Sequence, residues 1–557
     1  MTVVLVRRGI AAAAIGVLFA SAAWAVPADF RAKADAYLKS SYPADGPGAA
    51  VIVIDDGKVV YAGGQGLADL SAKRKITPAT VFRLGSLTKQ FTASVILQLE
   101  QEGRLSLSDP LSKFLPDYPT PGADATIAQL LNHTAGIKNY TEISSWMLSG
   151  RRAQPITTAQ LIDVFKNEPV DFAPGTGWHY SNSGYVLLGA IIEKITGKPW
   201  YEAVDRRLAK PLGLKTIRYG VEERSMPLMA SGYSDEGGKI VAARPLHMSN
   251  PHAAGSLVGS VEDFGRWAEA LHKGKVLSAA SYARMIAPAK LADGTSEPYG
   301  FAQGLGKLRG RDAISHGGET SGFDDAVTYI PSEDLFVAVF TNSNDPAVPP
   351  SIARAKIAAM ALGEPYPEFK KAAVPLSQIE PLLGIYKDED GERRFFEKDG
   401  RLFTRRSGGS DQEVFAAGND HFFYGPATLA WFEVRRDPAG KHVMTMYQDA
   451  EQVPEMSTRS GPIPAQSVVS VPRATLEHFV GSYKTGRGPV KIAIDDRGLT
   501  IQLARQSPIA LLPTSESEFR VEGMDATVTF HSTAAAVTGF TFKQGRQEIQ
   551  AERDPGG

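Results

Sequence analysis

The sequence predicts an α+β fold: an antiparallel sheet flanked by helices, followed by two small all-β, barrel-like modules. Three patterns predict it. Hairpin signatures stand near both ends of the segment 26–370, with helical periodicity between them. A polar, proline-bearing stretch from Gly363 to Lys371 then ends the helical character. Beyond it the chain repeats itself: Ile379 to Tyr386 matches Leu476 to Tyr483 at an offset of 97, which also aligns Leu402 with Leu499 and Phe422 with Phe519.

In chain order, Phe30 to Leu38 reads as a helical lead-in. Ala49 to Tyr61 reads as a hairpin turning at Asp56-Gly57, residue types that tolerate the positive φ of a two-residue turn. Phe91, Val95, Ile96 and Leu99 recur at helical spacing until Gly103. Leu105 to Leu115 reads as helical with a break at Asp109-Pro110, and Ile127 to Leu131 as a short helix. Tyr180-Ser181-Asn182 reads as a loop behind Pro174-Gly175-Thr176-Gly177, before a helix from Tyr185 to Ile195 closed by Gly197-Lys198-Pro199. Ser260 caps a helix whose Phe264, Trp267 and Leu271 share a face. A second hairpin joins Ala326–Ile330 to Leu335–Phe340 through Pro331 to Asp334, and Ile352 to Leu362 closes the region as a helix. In the repeated half, Val490, Ile492 and Ile494 alternate on one strand and Leu499, Ile501 and Leu503 on its return. With the joint at Ser460 to Gln466, the expected domains are 26–370, 371–465 and 466–557.

The first 25 residues are expected to be a removable Sec-type signal. Arg7-Arg8 precede an apolar run from Ile10 to Ala23, and Ala23-Trp24-Ala25 is a cleavage pattern. The run is short for a membrane anchor, and no other stretch is apolar enough to span one. The expected location is therefore periplasmic or secreted. The absence of cysteine excludes disulfides and thiolate chemistry. Lys+Arg 60 against Asp+Glu 61 leaves no basic stripe, which argues against a nucleic-acid partner and leaves small molecules or short peptides. The oligomeric state is left open.

Chemistry concentrates at Ser86 and Lys89. They lie three residues apart where an extended run ending at Phe82 gives way to a helix, so they share a face. A serine hydroxyl needs a neighbouring base, and a lysine serves once burial depresses its pKa. Two later clusters supply partners. In Tyr180-Ser181-Asn182, a phenol near a cation can titrate low enough to act as a base and then as an acid, and an amide can orient Lys89 or a substrate carbonyl. In His316-Gly317-Gly318-Glu319, which reads as the end of an edge strand, glycines admit a substrate backbone and an N–H completes an oxyanion hole. His133, at a helix end, reads as structural. Trp178, Tyr185 and Phe323 read as core, and the scattered histidines have no metal-ligand spacing, so no metal or cofactor is implied.

Taken in order, Phe82 to Phe91, Leu130 to Gly136, Pro174 to Tyr185 and His316 to Phe323 resemble the serine β-lactamase and penicillin-binding-protein superfamily, class C branch, over roughly Phe30 to Leu362. The resemblance implies a β-lactamase/transpeptidase-like domain and an acyl-serine mechanism. In it Ser86 is the nucleophile, Lys89 its base partner, Tyr180 the general acid/base and Asn182 a hydrogen-bonding group, with an oxyanion hole from the N–H groups of Ser86 and Glu319. The Ser-Asp-Asn of class A is absent. The usual Lys-Thr-Gly is replaced by His316-Gly317-Gly318, and a histidine is mostly neutral at pH 7. That shifts weight away from substrates anchored by a carboxylate. Lys484-Thr485-Gly486 follows the repeat's Gly-x-Tyr and reads as a turn there.

A catalytic domain followed by two β-modules resembles the bacterial D-stereospecific aminopeptidases. The resemblance implies a D-amino-acid-specific aminopeptidase or amidase, with carboxylesterase and then β-lactamase or DD-peptidase as runners-up. A peptidoglycan- or penicillin-binding sensor without turnover is the reading outside enzymes. Glu319, Asp324, Asp325 and Asp525 are the candidates to hold a substrate amine, and the role of the modules is left open between lids that restrict substrate size and spacers or docking surfaces.

Overall fold

The computed structural model describes residues 26–389, 391–448, 453–464, 468–486, 488–503, 506–533 and 536–554. The expected signal lies outside the described residues. The first domain is built on a six-stranded antiparallel sheet in the order Gly304–Leu308, Arg311–Thr320, Phe323–Ile330, Leu335–Thr341, Ala49–Asp55, Lys58–Gln65. The two hairpins therefore meet at the sheet centre, where Ala49 pairs with Thr341 and Asp55 with Leu335. Asp56 and Gly57 both take positive φ (47° and 72°), as a tight turn between twisted strands requires.

Both faces of the sheet are covered, which is why its central strands are apolar without alternation. Val51, Val53, Val337 and Val339 pack under the helices Phe30–Ser41 and Pro350–Ala361. Ile52, Ile54, Phe336 and Phe340 face a helical layer carrying Phe91, Phe264 and Trp267. That layer contains the buried helix Thr88–Gln101, the helix Asn182–Thr196, and Val261–His272, which Ser260 caps through the N–H of Asp263.

Three local expectations change. Leu105–Leu115 holds only a 3-10 turn at Leu111–Lys113, because the Asp109 carboxylate captures the Ser106 N–H at 2.7 Å and Pro110 has no N–H to give. Asn182 is the first residue of its helix rather than part of a loop, since Ser181 accepts the Gly184 N–H as N-cap. The strand carrying His316 is not the sheet's edge, because Gly304–Leu308 lies outside it. That outer strand pairs only as far as Ser315, however, and leaves His316 to Thr320 unpaired on the outer side.

Each copy of the repeat is a closed eight-stranded barrel, with strands spanning Gly384–Gly461 and Gly481–Arg553. The repeat extends to single hydrogen bonds: Tyr386 donates to the Leu382 carbonyl at 2.5 Å and Tyr483 to that of Phe479 at 2.7 Å. Lys484 and Thr485, expected in a turn, instead end the first strand of the second barrel, pairing with Pro489 and Gly488, and only Gly486 begins the turn. The first barrel docks on the side of the sheet away from Phe91, through Phe369 and Trp431 beside Tyr37 and Lys356. Asp525 joins the barrels by accepting the Gly408 N–H at 2.7 Å. Among the described residues no helix is long and apolar enough to cross a membrane.

Candidate active site

Ser86 sits in a 3-10 turn, Gly85–Leu87, between the strand Phe82–Arg83 and the helix Thr88–Gln101. The turn is pressed against the strand Arg311–Thr320. A Cβ on Gly85 (φ 48°) would lie 2.7 Å from the Glu319 nitrogen, and one on Gly318 would lie 2.2 Å from the Leu84 carbonyl oxygen. Glycine at both positions lets the Glu319 backbone come up beside Ser86. Ser86 opens a helical segment, where backbone N–H groups have no partner within the helix. The Glu319 nitrogen is thus brought beside the turn that carries Ser86.

Lys89 is fully buried, and burial holds its amine well below the ordinary lysine range. Its Nζ lies 3.0 Å from Ser86 Oγ, 2.8 Å from Asn182 Oδ1 and 2.8 Å from the Ala254 carbonyl oxygen. A neutral amine has two N–H bonds and one lone pair. The amide oxygen and the carbonyl can only accept, so the lone pair is left for the Ser86 hydroxyl. Asn182 is itself fixed by Asn139, whose Oδ1 accepts the Asn182 N–H at 3.1 Å. Ala254 is a functional residue that sequence reasoning missed. Its only signal was the small-residue run Ala253-Ala254-Gly255, which lets this segment lie close against the Lys89 helix, Thr92 donating to the Ala253 carbonyl at 2.8 Å.

Tyr180 places its ring centroid 4.8 Å from Lys89 Nζ. Burial pushes its phenol above the ordinary value, with the nearby Ser86 hydroxyl drawing it partly back. The expectation of a low-titrating phenol is therefore corrected: no fixed cation outweighs desolvation, and the group is a proton donor at neutral pH. Beneath it lies Tyr299, which sequence reasoning did not single out. The Ser181 N–H donates to His133 Nδ1 at 3.1 Å, which leaves the proton of neutral His133 on Nε2, 3.3 Å from the Tyr299 oxygen. Tyr299 then donates to His316 Nε2 at 2.7 Å, and His316 Nδ1 donates to the Gly317 carbonyl at 2.6 Å. The chain is satisfied with both imidazoles neutral. Burial presses His316 down to about 4. His316 is thus a hydrogen-bonded, uncharged group, and His133 supports Tyr180, 4.3 Å away between ring centroids.

The cleft over Ser86 has a volume of about 570 Å³ and is lined by Tyr180, Asn182, Arg152, Arg244, Glu319 and other residues, all between Ser86 and Asn344. No described barrel residue lines it, and the first barrel docks behind the sheet, which favours a spacer or docking role for that module over a lid. The candidate acids are also displaced. Alternation places Glu319 and its cross-strand partner Asp324 on the far face, where the Asp324 charge reaches Tyr42. Asp325 is sealed in the core, taking the Thr341 N–H at 3.2 Å, and Asp525 lies between the barrels. What Glu319 offers the cleft is its backbone. Away from it, Glu142, Asp171 and His179 bring ligand atoms within 4.8 Å of one another. The Lys138 ammonium already pairs with both carboxylates there, at 2.9 and 3.5 Å, in the place a cation would take.

The model of the β-lactamase family matches residues 35–361. The chain belongs to the β-lactamase family. As a β-lactamase-family chain it is a serine hydrolase, and its relatives span several activities. A D-aminopeptidase of Gluconobacter oxydans (strain 621H) is 30% identical over 364 residues, covering 63% of this chain and 65% of that protein, so the chain spans just under two thirds of that relative. Penicillin-binding protein 4* of Bacillus subtilis (strain 168) is 26% identical over 435 residues, 73% of this chain and 94% of the relative. Among solved structures, the octameric penicillin-binding protein homologue from Pyrococcus abyssi matches with a TM-score of 0.53 at 22% identity, over 93% of this chain and 99% of that one. At that identity the likeness concerns the fold, including the β-rich region after the β-lactamase-family domain.

Proposed function

We propose that this hydrolase, exported to the periplasm or medium, cleaves small D-amino-acid amides or short D-peptides through an acyl-serine intermediate. The observation that carries the chemistry is Lys89, a buried amine 3.0 Å from Ser86 Oγ whose other two close partners, 2.8 Å away, can only accept. Lys89 takes the proton as Ser86 Oγ attacks the carbonyl carbon. The oxyanion develops between the N–H groups of Ser86 and Glu319. Tyr180, protonated because it is buried, gives its proton to the leaving nitrogen and regains one from the Lys89 ammonium. Water then enters and the same groups run in reverse to release the acid.

The preference for D-amino acids is supported by the D-aminopeptidase relative, not by an acid in the cleft. One observation favours a second reading, a substrate bearing a carboxylate: Arg152 and Arg244 both line the cleft, and Arg152 is half-buried with no hydrogen bond or ion pair from its guanidinium to a described residue. The test begins with intact mass after a fluorophosphonate probe. A single adduct in the wild type, lost in Ser86→Ala, is expected, and no adduct under any condition would rule out the acyl-serine mechanism. D-Ala p-nitroanilide, p-nitrophenyl butyrate and nitrocefin are then compared. Turnover of the first is expected to exceed that of nitrocefin, and turnover of the ester alone would eliminate the amidase reading.

A further inference from the structure

The second barrel differs from the first at one end. The copies keep a single register at the offset of 97: the pair Arg393–Arg406 answers to Val490–Leu503, and Thr404–Gln412 to Ile501–Ile509. Tyr424 answers to Val521. In the first barrel these positions are polar and hydrogen-bonded. The Tyr424 hydroxyl accepts from Arg393 at 3.3 Å and pairs with Thr404 at 2.7 Å, and Arg406 donates to Glu455 at 3.3 Å. The five equivalents, on the second to fifth strands of the second barrel, are all aliphatic, and among the described residues a cavity of about 200 Å³ lies between them, lined also by Thr485, Gln506, Ser507 and Gln544.

Alternation points these positions inward, and Ile501, Leu503, Ile509 and Phe542 pack on the barrel core yet remain only half-buried. The other end is filled, with Phe479 stacked on Phe530 at 4.2 Å between centroids. Apolar side chains lining an unfilled space lose packing on one side, and interiors rarely keep such voids. An eight-stranded barrel is just wide enough to hold one small ligand.

We propose that this end of the second barrel is a binding site for an uncharged alkyl chain. Its volume is somewhat larger than that of a cavity that takes up benzene, which suits roughly six to eight carbons. None of the residues of the Ser86 cleft lines it, so the proposal stands apart from the proposed activity.

The test uses the full-length protein with ¹³C-methyl methionine, titrated with octan-1-ol. Met524 lines the cavity and its methyl resonance is assigned with Met524→Leu. That resonance is expected to shift saturably at sub-millimolar octan-1-ol while the other methionine methyls hold. Leu503→Arg, which restores the first barrel's residue, is expected to abolish saturation and to leave Ser86-dependent ester turnover unchanged. Val521→Tyr serves the same purpose if Leu503→Arg does not fold. The proposal is overturned by a Met524 methyl that stays put up to the solubility limit, by one that moves no more than the rest, or by saturation that survives the substitutions.

Discussion

Lys89 concentrates the chemistry and its cost in one side chain. Desolvation holds its amine well below the ordinary lysine range, with the Tyr180 and Tyr185 rings 4.8 and 5.4 Å from Nζ. A lysine pKa lowered by folding means the unfolded chain binds the extra proton between the depressed folded value and about 10.4. Wild-type stability therefore rises with pH across that window, relative to a variant lacking the amine, by up to about 1.4 kcal/mol per pH unit. Lys89→Met is expected to lower turnover by about three orders of magnitude or more. It is also expected to remove that slope, which melting temperatures of both proteins from pH 7 to 9 would show. A constant difference across the range would mean that Lys89 is not held neutral. Ser86, Lys89, Tyr180 and Asn182 were legible in the sequence because a nucleophile and its partners must be particular residue types. Tyr299 and the Ala254 carbonyl were not, because their roles depend only on where the fold brings them.

At the scale of elements, the contact between the serine turn and the strand Arg311–Thr320 decides whether there is an oxyanion hole. Gly85→Ala places a methyl 2.7 Å from the Glu319 nitrogen in a left-handed conformation, so one backbone must retreat. The expected cost is about 1–3 kcal/mol of stability, the range for overpacking and backbone strain. Labelling by the fluorophosphonate should slow by about 10²–10³, as for loss of one oxyanion donor. Calorimetry and labelling rates check the two separately, and wild-type labelling in a folded Gly85→Ala would detach the Glu319 N–H from the chemistry. The elements themselves were legible wherever the signal is local. Asp56-Gly57 dictates its turn, and Ser260 its helix. Leu105–Leu115 misled because its apolar residues do fall at helical spacing, yet Asp109 and Pro110 bind and block the backbone in a way that spacing does not register.

At the scale of the whole molecule, the two barrels were foreseen from the 97-residue offset, and their placement was not, since docking faces leave no periodic trace. The first barrel meets the domain through Phe369, whose ring lies 5.7 Å from Phe423 and 5.1 Å from Trp431, on the side of the sheet opposite Lys89. Every described residue lining the cleft lies between Ser86 and Asn344. Substrate choice should therefore be independent of the barrels. A chain ending at Gly363 is expected to keep the wild-type ratio of kcat/KM between D-Ala p-nitroanilide and p-nitrophenyl butyrate within about twofold, a difference under 1 kcal/mol in relative transition-state binding. It is expected to melt at a lower temperature, because Tyr37 and Lys356 lose their cover. Phe369→Ser in the full-length chain loosens the same contact without removing either barrel, and should leave the ratio equally unmoved. A shift in that ratio beyond tenfold in both proteins would mean that the barrels reach the substrate in solution, and that the cleft is not closed by the first domain alone.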